Sequence, residues 1–236
     1  MKAKVAIIGS GSMGTALGVL LANNVDSIDM WTPFKEEAEM LNTERQHRDK
    51  LPGVVLPEKV SSTTDMEKAL KGADVVVMAV PSQTTRKVAS EISKYFSKDG
   101  IVVCCSKGIE EDTCMLLSDV IEQEMPGNEV VILSGPSHAE EIAKDIPTAV
   151  VSASRNISAA EYIQEMFITP TFRVYTNPDV IGVELGGALK NVIALCAGIP
   201  DGLGYGDNTK AALMTRGMAE ISRLGIAMGA MPQTFF

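Results

Sequence analysis

The sequence predicts an α/β protein: a Rossmann-like, mostly parallel sheet domain followed by a partial all-helical domain. Three observations carry the prediction. Short, continuous apolar runs alternate with helix-like stretches as far as residue 177; a Gly9-x-Gly11-x-x-Gly14 turn joins the first run to the first helix; and after Pro178 two long helical stretches follow with no further strand. Continuously apolar strands between helices imply a parallel sheet covered on both faces.

The elements follow in order. Residues 4–9 are apolar β-formers and residues 15–22 read as a helix, with the glycine turn between them. Further strands are expected at 28–31, 74–80, 101–105, 130–133, 149–151 and 172–175, with helices at 36–41, 84–95, 113–124 and 159–167. The two long helices cover 179–199 and 208–228 and are joined by Pro200-Asp201-Gly202-Leu203-Gly204-Tyr205-Gly206. The first domain is therefore residues 1–177 and the helical one 178–236.

Composition narrows the partners. In 236 residues, 30 acidic groups against 21 basic ones give a net charge of −9, and no run of lysine or arginine is present. This argues against nucleic acid and anionic membrane. Cys104, Cys105, Cys114 and Cys196 form no CxxC pair and read as reduced thiols of a cytoplasmic protein. His47 and His138 are the only histidines, so a zinc site or a Ser-His-Asp triad has little to build on and no metal is expected. Lys2 and Lys4 precede an apolar stretch, but the glycines and serines of residues 9–14 break it too early for a secretory signal. The run around Lys190 reads as too short for a comfortable bilayer span, with a charge at its middle.

Ligands of open α/β sheets bind beyond the carboxyl ends of the strands, and four unusual loops are expected there. In the first, Gly9, Gly11 and Gly14 stand where a tight turn, a close pyrophosphate and helix packing each exclude a side chain, which predicts dinucleotide binding. Pro81-Ser82-Gln83 ends the strand before it. Ser106-Lys107-Gly108 offers a lysine that reaches either a phosphate or carboxylate, or only solvent. Ser134-Gly135-Pro136-Ser137-His138-Ala139 leads into a helix whose first N–H groups suit an anion, with His138 read as a cap or surface residue. The second strand is followed by Trp31-Thr32-Pro33-Phe34-Lys35. Without an acid there, and with Lys35 available to a 2′-phosphate, the lean is toward NADP over NAD.

Residues 185–199 read LGGALKNVIALCAGI, apolar except for Lys190 and Asn191. Removing an ammonium group from water is costly unless it is paired or its pKa falls toward neutrality. Lys190 is thus a candidate acid/base, and Gly186 and Gly187, one turn earlier, would let a ligand or another backbone approach. The alternative is a lysine that snorkels to solvent beside helix-packing glycines. Asn191 would either orient a substrate or make a helix-surface contact.

With these residues in place, the chain resembles the bacterial biosynthetic form of NAD(P)-dependent glycerol-3-phosphate dehydrogenase over its whole length. The specific matches are Gly186-Gly187-Ala188-Leu189-Lys190-Asn191, Ser106-Lys107-Gly108-Ile109-Glu110, residues 134–141 (SGPSHAEE) and residues 201–208 (DGLGYGDN). The resemblance implies reversible reduction of dihydroxyacetone phosphate to sn-glycerol 3-phosphate, the phospholipid backbone, with Lys190 as the proton acceptor. It implies that Lys107 touches substrate and cofactor, Gly135 and Ser137 the substrate, and Ser12, Met13 and Ala139 the cofactor. It also implies that residues 178–236 are the N-terminal part of a helical substrate domain. Met13 stands where the family usually has tryptophan, and Pro33 and Phe34 where it often has histidine or arginine. The family's chain runs on by roughly a further third, with an aspartate and a Ser-Arg-Asn motif, so the resemblance implies a C-terminally truncated chain. Uncovered apolar surface and association, as in a homodimer, are then expected. Two other functions fit the same residues: a dehydrogenase of 2-hydroxy or 3-hydroxy acids, and a dinucleotide-binding module without turnover.

Overall fold

The computed structural model describes residues 2–235. Eight strands form one sheet: β1 (Lys4–Ile8), β2 (Ser27–Trp31), β3 (Val60–Thr63), β4 (Val75–Met78), β5 (Ile101–Cys104), β6 (Glu129–Ser134), β7 (Thr148–Ala153) and β8 (Phe172–Asn177). Their spatial order is β3-β2-β1-β4-β5-β6-β7-β8, parallel throughout except where β7 runs against β6. Strand order reverses between β1 and β4, and this is where a crevice opens at the carboxyl edge. The register brings Ile8, Met78, Cys104 and Ile132 side by side, so the loops that follow them emerge together.

Both faces of the sheet are buried because successive side chains point to opposite sides. Val5 and Ile7 pack into one core with Leu17, Leu21 and Phe167, while Ala6 and Ile8 pack into the other with Val76, Met78 and Leu117. The covering helices are α1 (Ser12–Leu21), α2 (Lys35–Thr43), α3 (Met66–Leu70), α4 (Thr85–Ile92), α5 (Leu117–Glu124), α6 (Ala139–Ile142) and α7 (Ile157–Phe167). Two long helices, α8 (Val180–Gly202) and α9 (Asp207–Ala227), pack on each other and end the fold with a 3-10 turn at Pro232–Phe235.

Four expectations need correction. Strand β3 and helix α3 are absent from the sequence reading: β3 is a short, polar edge strand, Val-Ser-Ser-Thr, without a continuous apolar run, and α3 has only five residues, capped by Asp65. The helix expected at 113–124 begins only at Leu117, because Cys114 adopts φ 55° and a bridge between Ile109 and Leu116 holds the preceding segment out of helix. Pro200 lies inside α8 rather than in the connection. Its missing N–H removes a single helical bond, and the helix continues to Leu203, whose N–H bonds Ile199 O at 3.0 Å. Finally, the apolar run around Lys190 belongs to a helix of 23 residues, long and apolar enough for a bilayer span.

That helix has two different halves. Val180, Val183 and Leu185 are buried, the first two against the sheet, whereas Val192, Leu195 and Ile199 are exposed. On α9, Met214, Met218 and Leu224 are exposed too. The expected uncovered apolar surface is therefore present, and Lys190 sits where the buried half gives way to the exposed one.

Candidate active site

The glycine turn is built as its spacing predicts. Gly9 adopts φ 114°, and a Cβ there would stand 2.5 Å from Ala79 O, so only glycine lets β1 and β4 leave the sheet this close together. A Cβ on Gly14 would stand 1.9 Å from Gly9 O, which is the close packing of α1 on its own turn. Around Gly11 nothing lies within 4 Å, leaving open space before the N-terminus of α1. No side chain caps that helix and no acid lies in its first turn, so its leading N–H groups remain available to an anion. A groove of about 630 Å³ runs past Gly9–Met13, Trp31–Phe34 and Ala79–Pro81. These residues fit a dinucleotide, with the pyrophosphate on the open glycine and the helix terminus.

Beside the groove lies a second cluster. Lys107 Nζ donates to Ser137 Oγ at 3.2 Å, and Ser137 Oγ donates to Gly135 O at the same distance. Met13 lines both the groove and the cleft at Lys107 and Ser137, so it joins the two. Helix α8 comes down against this loop at Gly187: a Cβ there would stand 2.4 Å from Ser134 Oγ and 3.8 Å from Lys107 Cγ. Three residues further, Lys190 lines a cavity of about 680 Å³ with Ser134, Gly135 and Gly186. Burial holds the Lys107 ammonium below the ordinary lysine range, and the positive charge of Lys190 acts in the same direction.

The lysine loop is anchored from outside. Ser106 Oγ donates to Val80 O at 2.6 Å, and Gln83 Nε2 donates to Ile109 O at 2.8 Å. Arg86 forms a fork with Glu110 at 2.9 and 2.8 Å, which holds the Glu110 carboxyl down at about 2. Below the loop, burial raises the Cys104 and Cys105 thiols, the latter to about 12, so both are inert.

The chain can now be set beside known proteins. The family description "NAD-dependent glycerol-3-phosphate dehydrogenase N-terminus" matches residues 4–160, and the corresponding C-terminus matches residues 179–236. The chain belongs to the NAD-dependent glycerol-3-phosphate dehydrogenase family. A member from Agathobacter rectalis is 54% identical over 233 residues, covering 99% of this chain and 69% of the relative. One from Bacillus velezensis is 52% identical over 235 residues, covering 98% and 68%; both are named glycerol-3-phosphate dehydrogenase, NAD(P)+. The crystal structure of glycerol-3-phosphate dehydrogenase from Coxiella burnetii superposes with a TM-score of 0.93 at 34% identity, covering 99% of this chain and 71% of that one. A ketopantoate reductase from Ralstonia eutropha, at 20% identity and a TM-score of 0.67, shares the fold.

In this chain, Gly9, Gly11, Ser12, Met13, Lys107, Gly135, Ser137 and Lys190 all line the groove or the adjoining pockets, while Gly14 packs beneath. Three of the candidate residues stand outside these pockets. Asn191 is exposed and does not line the cavity with Lys190, because the next position on the helix turns it away by about 100°. Ala139 is buried in the core under the loop, and α6 behind it is a single turn of four residues, so no extended helix terminus faces an anion there. Lys35 stands in solvent, 84% exposed, paired with Glu39 at 3.6 Å and away from the groove. The sequence reading lacks Arg86 and the pair Glu184 and Ser118, and names Gln83 and Glu110 only as members of their loops without the contacts they make, because the partners lie 24 to 66 residues away. Among the described residues, no group of three His, Cys, Asp or Glu side chains could hold a metal ion.

Proposed function

We propose that this chain interconverts sn-glycerol 3-phosphate and dihydroxyacetone phosphate with NAD or NADP, supplying glycerol 3-phosphate for phospholipid synthesis. The observation that carries the reading is the placement of Lys107 with Ser137 in one cleft beside the glycine groove and of Lys190 in the cavity across the loop from it, the two separated by the contact of Gly187 with Ser134 and Lys107. Bound nicotinamide dinucleotide supplies the hydride acceptor for oxidation and the donor for reduction. Lys190, in its amine form, takes the proton from the C2 hydroxyl oxygen during oxidation; during reduction its ammonium form returns it to the carbonyl oxygen. Lys107 and Ser137 offer a cation and a hydroxyl to the substrate phosphate, and Gly135 leaves room for it. Gly187 sets the distance between the two lysines by seating α8 directly on Ser134.

The reading assigns residues 1–177 to nucleotide binding and 178–236 to the substrate side. It places a protein of net charge −9 with reduced thiols in the cytoplasm, without nucleic acid or membrane insertion, and pairs it as a homodimer through the apolar faces of α8 and α9. The test is dihydroxyacetone phosphate reduction before and after Lys190→Met. A fall in kcat of about 100-fold or more is expected for loss of a proton-transfer group; a kcat close to the unmodified value sinks the assignment.

A further inference from the structure

The adenosine end of such a groove lies at the carboxyl end of β2, where an acceptor for the ribose hydroxyls suits NAD and a cation facing the 2′-phosphate suits NADP. The segment after β2 in this chain, Thr32-Pro33-Phe34-Lys35, offers no acid, and its one cation is turned to solvent. A carboxylate arrives instead from the helix. Glu37, in the first turn of α2, accepts from Thr32 Oγ1 at 3.0 Å, from Ser10 Oγ at 2.5 Å and from Lys50 Nζ at 2.5 Å. A fourth donor faces it. His47 is buried, and its Nδ1 accepts from the Lys50 backbone N–H at 3.2 Å, so the neutral ring carries its proton on Nε2. That Nε2 has no hydrogen-bond partner and stands 3.8 Å from Glu37 Oε1.

Burial opposes ionisation of Glu37, but the bonds from Lys50, Ser10 and Thr32 outweigh it and hold the carboxyl below the ordinary range. Burial likewise lowers the pKa of His47, which keeps the ring neutral. The hub is therefore one fixed negative charge with one cation bound to it, and both Glu37 and Lys50 line the groove wall with Phe34. A carboxylate has about four lone-pair sites, of which three are used here, and His47 Nε2 at 3.8 Å does not bond to the fourth, which is left for a ligand hydroxyl.

We propose that Glu37 makes this groove select NAD over NADP: its carboxylate accepts from a ribose hydroxyl, repels a 2′-phosphate, and ties up Lys50, the cation that would otherwise meet that phosphate. The inference rests on the dehydrogenase reading above. A 2′-phosphate brings about 1.5 to 2 negative charges at neutral pH. To bind it, Lys50 must share its ammonium between the Glu37 carboxylate, held at 2.5 Å, and a phosphate that the same carboxylate repels.

Trp31, the one tryptophan of the chain, lines the groove, so quenching of its fluorescence reports nucleotide binding without turnover. NADH is expected to bind about tenfold or more tightly than NADPH, the scale of one charge-assisted contact. Glu37→Gln is expected to narrow that ratio about tenfold by freeing Lys50, and the double variant Glu37→Gln with Lys50→Met to lose the NADPH gain. If circular dichroism shows Glu37→Gln unfolded, Lys50→Met carries the test, and its preference for NADH should widen by about threefold or more. NADPH binding as tightly as NADH in the unmodified protein, or a ratio unmoved by these substitutions, overturns the proposal. Binding of neither nucleotide sinks the dehydrogenase reading itself, and the selectivity with it.

Discussion

Glu184, in the buried half of α8, accepts two bonds from Ser118 at the start of α5: from the backbone N–H at 2.9 Å and from the hydroxyl at 2.6 Å. One residue thus caps a helix packed on the sheet from the helix that carries Lys190, and burial raises its carboxyl to about 7. Asp119 beside it adds a smaller push in the same direction.

The pH dependence of stability follows from that carboxyl. In the unfolded chain it ionises near 4.5, but in the folded one only near 7, so the folded state binds the extra proton between those values. Stability therefore falls as pH rises from about 4.5 to 7, by an amount on the order of 3 kcal/mol from this group. Glu184→Gln keeps an acceptor for the Ser118 N–H and removes the titration, so urea unfolding from pH 5 to 8 should show a flatter slope in the variant. Parallel slopes would refute the assignment.

The substrate contact proposed for Lys107 should show itself in KM. Lys107→Met is expected to lower kcat/KM for dihydroxyacetone phosphate by about 10- to 150-fold, the range of a lost charge-assisted bond, and Ser137→Ala by about tenfold. Because burial and Lys190 depress the Lys107 pKa, its positive charge is lost at a lower pH than that of an ordinary lysine. KM should accordingly climb on the alkaline side earlier than lysine's usual range. A flat KM profile up to pH 10 would contradict this role.

Two glycines of one turn should fail in different ways. Gly14→Ala puts a methyl 1.9 Å from the Gly9 carbonyl, where backbone must move, and should destabilise the fold by roughly 3 kcal/mol. Gly11→Ala meets nothing within 4 Å and should fold normally, while NADH binding weakens about tenfold or more because the methyl occupies the pyrophosphate's space. Thermal melts and fluorescence titration separate the two, and a stable Gly14→Ala protein would argue against the packing role.

The thiols offer a check on burial. Cys114 is exposed, Cys196 half-buried, and Cys104 and Cys105 sealed under the lysine loop with raised pKa values. In the native protein a thiol reagent should label Cys114 readily, Cys196 more slowly, and Cys104 and Cys105 only on unfolding. Rapid labelling at either of the last two would show the loop to be open in solution.

Local pattern alone determined much of this protein. The continuous apolar strands, the glycine spacing at residues 9–14 and the small-residue approach to Lys190 are readable because each depends on neighbours a few residues away, through strand alternation, turn geometry and helix periodicity. Only the tertiary structure decided which lysine is desolvated, that Asn191 turns outward, and that the acid at the end of β2 is Glu37 reaching back from α2 rather than a residue of the loop itself. It also decided that Lys35 is spent on a surface pair and that Glu184 bridges α8 to α5 across 66 residues of chain. The reason is physical: burial and charge depend on what the fold brings within a few ångströms, and sequence spacing carries that information only inside a single element.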